Sequence, residues 1–391
     1  MNARIWLLAL ATFVTGMAEN ITVGILPTLA QGLNVPLGIA GQLTTAFSLG
    51  FAIAAPFCSL LTRRFPLRTL LCMALALFAL FNLIAALAPG YTVLLAARIG
   101  MAATSALTCL ICTLMATRMV APALRGRAIG VIFMGISGSL VLGVPLGMLL
   151  NDALGWRGVF LGLVLLATAV LFTAWHALPQ LQGGERITPA SYLNHLRDRR
   201  LVSAQLISVL MIAGHFTVFA YLAPYAQHVA RIPEQWLPLI FAAFGIAGVA
   251  GGYLGGWLAD RLGARRAIMI TPLLYLATLL GVAWGGAAAW LFLPLMMAWG
   301  CISWMISPVI QSYLATRGPD SVQAGMSLNL SAMHVGVAVG TGIGGWVIGH
   351  GALSSTPWAG ALLTLMAVGL AVYCTGGSRP HSLIPEPQSE A

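Results

Sequence analysis

Glu19 is the one acidic side chain placed well inside a long apolar run of this chain, and Arg98 is the one basic side chain so placed. Ionisable groups at membrane depth are costly, and they mark pathways and proton relays. Counted at about 1.5 Å per residue from Ile5, Glu19 lies roughly 21 Å along its run. Arg98 lies about 10 Å from Tyr91 in a run that crosses the other way. In a hydrocarbon layer of about 30 Å those depths nearly coincide, so both residues could line one cavity. Burial favours a neutral acid, and a neighbouring cation favours its anion. A carboxyl group held between those tendencies suits a task of taking and releasing a proton near neutrality. The alternative is a static ion pair between two helices.

His215 and His334 stand at comparable depth in later runs. Either could line the pathway, although a lone helical histidine is more often a hydrogen-bonded core residue. Asn20, Phe47 and Phe133 complete the candidate cavity. Other chemistry fails on context. GTGIGG, 340 to 345, fits the letters of the dinucleotide fingerprint, but no strand precedes it and no acid follows about 20 residues on. Cys109 and Cys112 form C-x-x-C inside an apolar run without a second pair, and read as small hydrophobes. There is no Ser/His/Asp set, HExxH or Walker loop, which argues against an enzyme and against ATP-driven transport. Neither a metal nor a cofactor is called for.

These side chains need long apolar elements to hold them. Hydrophobic residues make up 59% of the chain and charged ones 7%, against roughly 25% charged in a soluble domain. Twelve runs are long enough to cross a bilayer as helices: 5–30, 37–62, 68–89, 92–117, 126–150, 157–178, 202–227, 237–259, 266–286, 289–315, 323–349 and 356–376. The net charge of +10 comes from 19 basic residues, all Arg, in short clusters at run ends. That distribution is no nucleic-acid stripe. With a cytoplasmic N-terminus, only Arg157 and Arg231 face outside and Arg98 lies in a span, a decisive positive-inside bias. The first run is too long for a signal peptide and carries Glu19, so it is expected to remain. Residues 179–201 form the longest polar interruption, a cytoplasmic linker with room for a surface helix between 1–178 and 202–377. The tail 378–391 is polar and Pro-rich.

The halves repeat. A shift of 197 residues carries Ser59, Arg63, Arg64 and Arg68 of SLLTRRFPLR onto Gly256, Asp260, Arg261 and Arg265 of GGWLADRLGARR. The same shift carries Gly143, Pro145 and Gly147 onto Gly340, Gly342 and Gly344, and Glu19 to within one position of His215. Two unrelated patterns sharing one shift point to a transporter built from parallel repeats. In the loop motif, Asp260 at one helix end beside Arg261 and Arg265 could latch one conformation and release in another. The alternative is that these Arg residues only set topology. Gly138, Gly143, Pro145 and Gly147 would let the fifth run bend and be approached closely, or serve ordinary packing.

At this point the chain resembles the major facilitator superfamily, in its drug and sugar efflux branch of proton antiporters. The resemblance covers nearly the whole chain. GGWLADRLGARR, with Gly256, Asp260, Arg261, Gly263 and Arg265, is similar to the superfamily's loop motif, and Arg64 belongs to its first-half copy. ARIGMA around Arg98 is similar to its fourth-helix motif, and GVPLGMLLNDALGWR to its antiporter motif. GMAENITVGILPTLA resembles the first helix of sugar-efflux and chloramphenicol-type exporters, with Asn20 where those have an aromatic and Arg63 where the loop motif usually has Asp.

The resemblance implies an all-α membrane protein of twelve transmembrane helices in two six-helix bundles, both termini cytoplasmic, in a bacterial inner membrane. It implies a proton-coupled antiporter exporting a small amphipathic drug or sugar, with the proton gradient as its energy source. The partners expected are solute, protons and lipid, with no nucleic acid, and nothing demands more than a monomer. A facilitator or importer on the same fold is the first alternative. A membrane enzyme or receptor is a more distant one.

Overall fold

Residues 3–61, 65–121, 124–182, 189–318, 322–351 and 353–376 are described by a computed structural model, and all their regular elements are helical. Arg63, Arg64 and the tail 378–391 lie outside the described residues. In a bilayer the backbone must satisfy its own polar groups, and an apolar run about 20 residues long does so as a helix. The helices are α1 (Ala3–Gly24), α2 (Leu26–Gly32), α3 (Leu37–Leu61), α4 (Leu67–Ala86), α5 (Tyr91–Arg118), α6 (Arg125–Gly138) and α7 (Val144–Ala177). They continue with α8 (Pro189–Arg197), α9 (Arg199–Phe219), α10 (Leu222–His228), α11 (Leu237–Leu262), α12 (Ala264–Gly285), α13 (Ala289–Arg317), α14 (Val322–Gly349) and α15 (Thr356–Thr375).

Among the described residues, 11 helical stretches are long and apolar enough to span a membrane, one fewer than the runs read from the sequence. The difference lies in Arg127–Ala177, 51 residues without a loop. This stretch turns back within itself at Gly155, whose φ of 72° and ψ of 172° interrupt α7. Only glycine adopts that backbone freely. The tight turn from α11 to α12 uses Gly263 in the same way, at φ 79°.

The first and seventh runs are each broken near their far ends. α1 gives way to α2 at Ile25, with Pro27 in the first turn of α2, and α9 gives way to α10 at Ala220 and Tyr221 ahead of Pro224. Pro27 and Pro224 are 197 residues apart, so the repeat extends to a break in helix geometry. The early helices pack mostly on one another, α1 on α5, α6 and α7, and α4 on α5 and α7. The later ones do likewise, α9 on α14 and α15, α11 on α13, and α12 on α13 and α15. The two groups meet where α3 lies along α14 and where α11 crosses α7. Tyr221 closes one end of the first seam, its hydroxyl donating to the Thr341 carbonyl at 3.0 Å between Gly41 of α3 and Gly345 of α14.

The linker helix α8 is docked and not merely on the surface. His195 is 1% exposed, and its Nε2 lies 3.1 Å from Gln205 Nε2. That amide nitrogen also donates to the Gly325 carbonyl at 2.9 Å, while Asn329 donates to Gln205 Oε1 at 3.0 Å. With the amide oriented by its two neighbours, His195 Nε2 accepts and therefore carries no hydrogen. Burial holds the His195 imidazole below its usual value of 6.5, and Asp198 opposes that shift. A lowered folded value means the docking energy is fully present above about pH 6.5 and is lost as pH falls below it. Trypsin is therefore expected to cut after Arg197 or Arg199 faster at about pH 5.5 than at pH 8, after correction for the enzyme's own pH profile. His195→Gln should abolish that difference. An unchanged cutting ratio between wild type and His195→Gln counts against the docking role.

Candidate functional site

Arg98 is completely buried where α1, α3 and α5 meet. Its Nη1 donates to the Ala18 carbonyl at 2.5 Å, Nη2 lies 3.4 Å from the Glu19 carbonyl, and Nε lies 3.5 Å from the Leu43 carbonyl. The guanidinium also sits 4.4 Å above the Phe47 ring. Helical carbonyls keep a second lone pair after their own ladder bond, and a planar fork of donors can collect several of them. Arg98 thus grips the main chain of α1 beside Glu19, and the depth match read from the sequence corresponds to a real neighbourhood. The carboxylate itself points elsewhere.

Glu19 Oε1 lies 3.4 Å from His334 Nε2, on α14 of the second half. His334 Nδ1 lies 2.9 Å from the Leu330 carbonyl one turn back. The imidazole stacks flat on Phe51 of α3, centroids 3.7 Å apart and planes within 1°. So α1, α3 and α14 each supply one side chain, at the seam where the two groups of helices touch. Glu19 keeps 23% of its side-chain surface exposed and His334 keeps 10%, so the carboxylate retains a path to water while His334 Nε2 is buried.

The other predicted cavity residues separate. Asn20 turns back to donate to the Gly16 carbonyl at 3.0 Å. His215 sits in an aromatic cluster of Phe216, Phe219, Phe244 and Trp299, centroids 5.0 to 5.8 Å away. Its Nδ1 has no hydrogen-bond partner among the described residues. Phe47 is buried beneath Arg98, while Phe133 is exposed on α6. Sequence reasoning named His334 but missed its partner and the role of Phe51, because both depend on how α3 and α14 meet.

The glycine-rich fifth run lies against α1. Gly143 abuts Met17 and Gly147 abuts Ile21, with no room for a methyl group at Gly147. Pro145 opens α7, and Gly138 meets Phe13 at ordinary contact distance. Between α6 and α7, residues Ser139–Gly143 form a π-helical turn. Such a turn carries one extra residue, and π turns recur at functional sites. Gly245 of α11 approaches the backbone of Val141 within it, so the turn is held between α1 and the second half.

Residues 8–327 match the sequence profile of the Major Facilitator Superfamily. The chain belongs to that superfamily. Among its members, the MFS-type transporter YbcL of Bacillus subtilis (strain 168) is 32% identical over 93% of this chain and 94% of its own length. A "Probable sugar efflux transporter" of Pasteurella multocida (strain Pm70) is 27% identical over 94% of this chain and 90% of its own. The fold is shared with a bacterial homologue of the human lysosomal transporter Spinster, solved in an inward-facing and occupied conformation. The TM-score is 0.77 at 14% identity, covering 95% of this chain and 96% of that one. This chain is thus a transporter of the superfamily by descent and by fold.

The superfamily loop motif occupies the end of α11 and the start of α12. Asp260 is exposed there and forms no ion pair with a described residue, and Gly256 has open space above it. Arg261 lies over the Trp257 ring at 5.3 Å, and Arg265 donates to the Thr375 carbonyl at the end of α15. Arg64, of the first-half copy, lies outside the described residues. Among the described residues, Asp260 therefore makes no ion pair that would latch one conformation. Asp260→Asn is expected to leave thermal unfolding within about 0.5 kcal/mol of wild type while slowing turnover. Wild-type transport kinetics in the variant at equal expression would reduce the motif to a topology signal.

Proposed function

We propose that the chain is a proton-coupled exporter that moves a small amphipathic solute, a drug or a sugar, out of a bacterial cell by alternating access. Counting the arms of the Arg127–Ala177 stretch before and after Gly155 separately gives twelve spans, six in residues 1–178 and six in 202–377, with both termini cytoplasmic. That orientation puts the Arg clusters on the positive-inside face. The observation that carries the reading is the contact of Glu19 with His334. A titratable contact between the two groups of helices lets protonation bias which side of the carrier is open, the differential interaction that any population shift requires. The efflux direction is supported by the relative named for sugar efflux and by the likeness of the first helix to chloramphenicol-type exporters. No feature calls for a bound cofactor, the inner membrane is the expected location, and a monomer is sufficient.

The test uses inside-out membrane vesicles from a host lacking its own exporters, energised so that the lumen becomes acid. Adding a phenicol drug or a pentose is expected to raise lumenal pH, read by a pH-sensitive dye, only in vesicles containing this chain. Solute entry that neither moves the dye nor responds to collapse of the gradient would make the protein a facilitator.

A further inference from the structure

Resting on the reading of Glu19 as a proton carrier, we propose that Glu19 and His334 hold a single proton between them. The proton-binding unit is then the pair, and its proton is the bond joining α1 to α14.

The hydrogen-bond partners decide it. The Leu330 carbonyl can only accept, so at 2.9 Å His334 Nδ1 must carry a hydrogen. A neutral imidazole protonated at Nδ1 presents a bare lone pair at Nε2. That Nε2 is buried and has no aligned hydrogen bond among the described residues, yet it faces Glu19 Oε1 at 3.4 Å. With Glu19 ionised and His334 neutral, two acceptors would confront each other, which is unfavourable where water is scarce. One added proton resolves the conflict in either position. It forms an O–H bond on Oε1 that donates to Nε2, or an N–H bond on Nε2 that donates to Oε1. When the proton leaves, that one bond breaks, the proton passes to water, and the contact reverts to two lone pairs. Phe51, stacked within 1° of the imidazole plane, keeps the ring from turning Nε2 away.

Among the described residues, no other side chain donates a hydrogen bond to the carboxylate. On α5, the Arg98 guanidinium lies beside Glu19 but is committed to the carbonyls of Ala18, Glu19 and Leu43. On α3, Phe47 faces Arg98 and Phe51 faces His334, and neither ionises. The π turn presents Ser139 to α1 at Gly16. On α9, His215 faces its aromatic cluster, and on α8, His195 meets α14 at Gly325, more than two turns from His334. The pair behaves as one coupled site whose titration belongs to neither residue alone.

Purified full-length protein in weakly buffered detergent is taken from about pH 5 to about pH 9, and the protons released per molecule are counted with a pH dye. Glu19→Gln is expected to release one proton fewer than wild type. His334→Gln should lose that same proton, and the double variant should lose no more than either single one. His334→Phe, which keeps a ring against Phe51, should match His334→Gln and guards against a folding artefact, as does a single symmetric peak on gel filtration. A full wild-type count in both His334 variants, with one proton missing in Glu19→Gln, overturns the shared proton and leaves Glu19 as sole carrier. A double variant short of two protons overturns it as well, making the residues independent sites. A full count in Glu19→Gln removes the underlying reading together with the inference.

Discussion

Glu19→Gln is expected to abolish accumulation driven by a proton gradient, by about 10² or more, the range typical of losing a positioned proton-transfer group. Glutamine keeps the size of the side chain and can still donate toward His334 Nε2, so the α1–α14 contact can form and break during transport without depending on pH. What disappears is the ability to make and break that link with a proton. The variant should therefore fold, insert and bind solute, and should exchange solute down its own gradient. Its binding should lose most of its dependence on pH. Inside-out vesicles with a confirmed solute separate the two activities: downhill exchange persists and dye-reported proton movement vanishes. Undiminished proton-driven uptake by Glu19→Gln vesicles would move the coupling site away from this seam.

Arg98→Ala is expected to fail for a different reason, at the level of folding. Its side chain is completely buried, reaches three carbonyls on two helices and covers the Phe47 ring. A hydrogen bond to a charged group is worth about 1.5–3 kcal/mol. Emptying the site of a large buried side chain costs about 3–5 kcal/mol in soluble cores. A loss of about 3–5 kcal/mol is a large part of the stability of a typical domain. The measurement is thermal unfolding in detergent, followed by the surviving fraction on gel filtration. Arg98→Lys should fall between wild type and Arg98→Ala, since an ammonium is a point donor and cannot span the same carbonyls. Wild-type unfolding in Arg98→Ala would mean that the three carbonyl contacts hold nothing.

The long apolar runs, the repeat and the position of the polar joint were legible because each leaves a local trace: length without charge, a constant shift, a change in composition. The same shift relates the breaks at Pro27 and Pro224, but the runs 5–30 and 202–227 read as unbroken in the sequence. The turn at Gly155 was hidden inside what looked like a short outer loop, since one glycine out of 44 carries no mark of its backbone angles. Arg98 was found by charge and depth, yet its choice of carbonyls over the carboxylate follows from how α1, α3 and α5 pack, which no periodicity encodes. His334 and Phe51 come from opposite halves of the chain, and only the seam between α3 and α14 makes them neighbours. His195 looked like one more polar residue of a surface linker until its burial against Gln205 was visible.

The π turn at Ser139–Gly143 has a mechanical meaning. An α-helix advances about 1.5 Å and rotates about 100° per residue, so a surplus residue in a wide turn is a stored quantum of screw motion. Relaxing the turn into ordinary α geometry would send that rotation along α7 as far as Gly155, the next point where the backbone can absorb it. The stripe of Gly143 and Gly147 would swing off Met17 and Ile21, and bulkier faces of α7 would roll onto α1 in its place. The helix carrying Glu19 thus packs against a turn that holds one surplus residue, and Gly245 of α11 meets that turn at Val141.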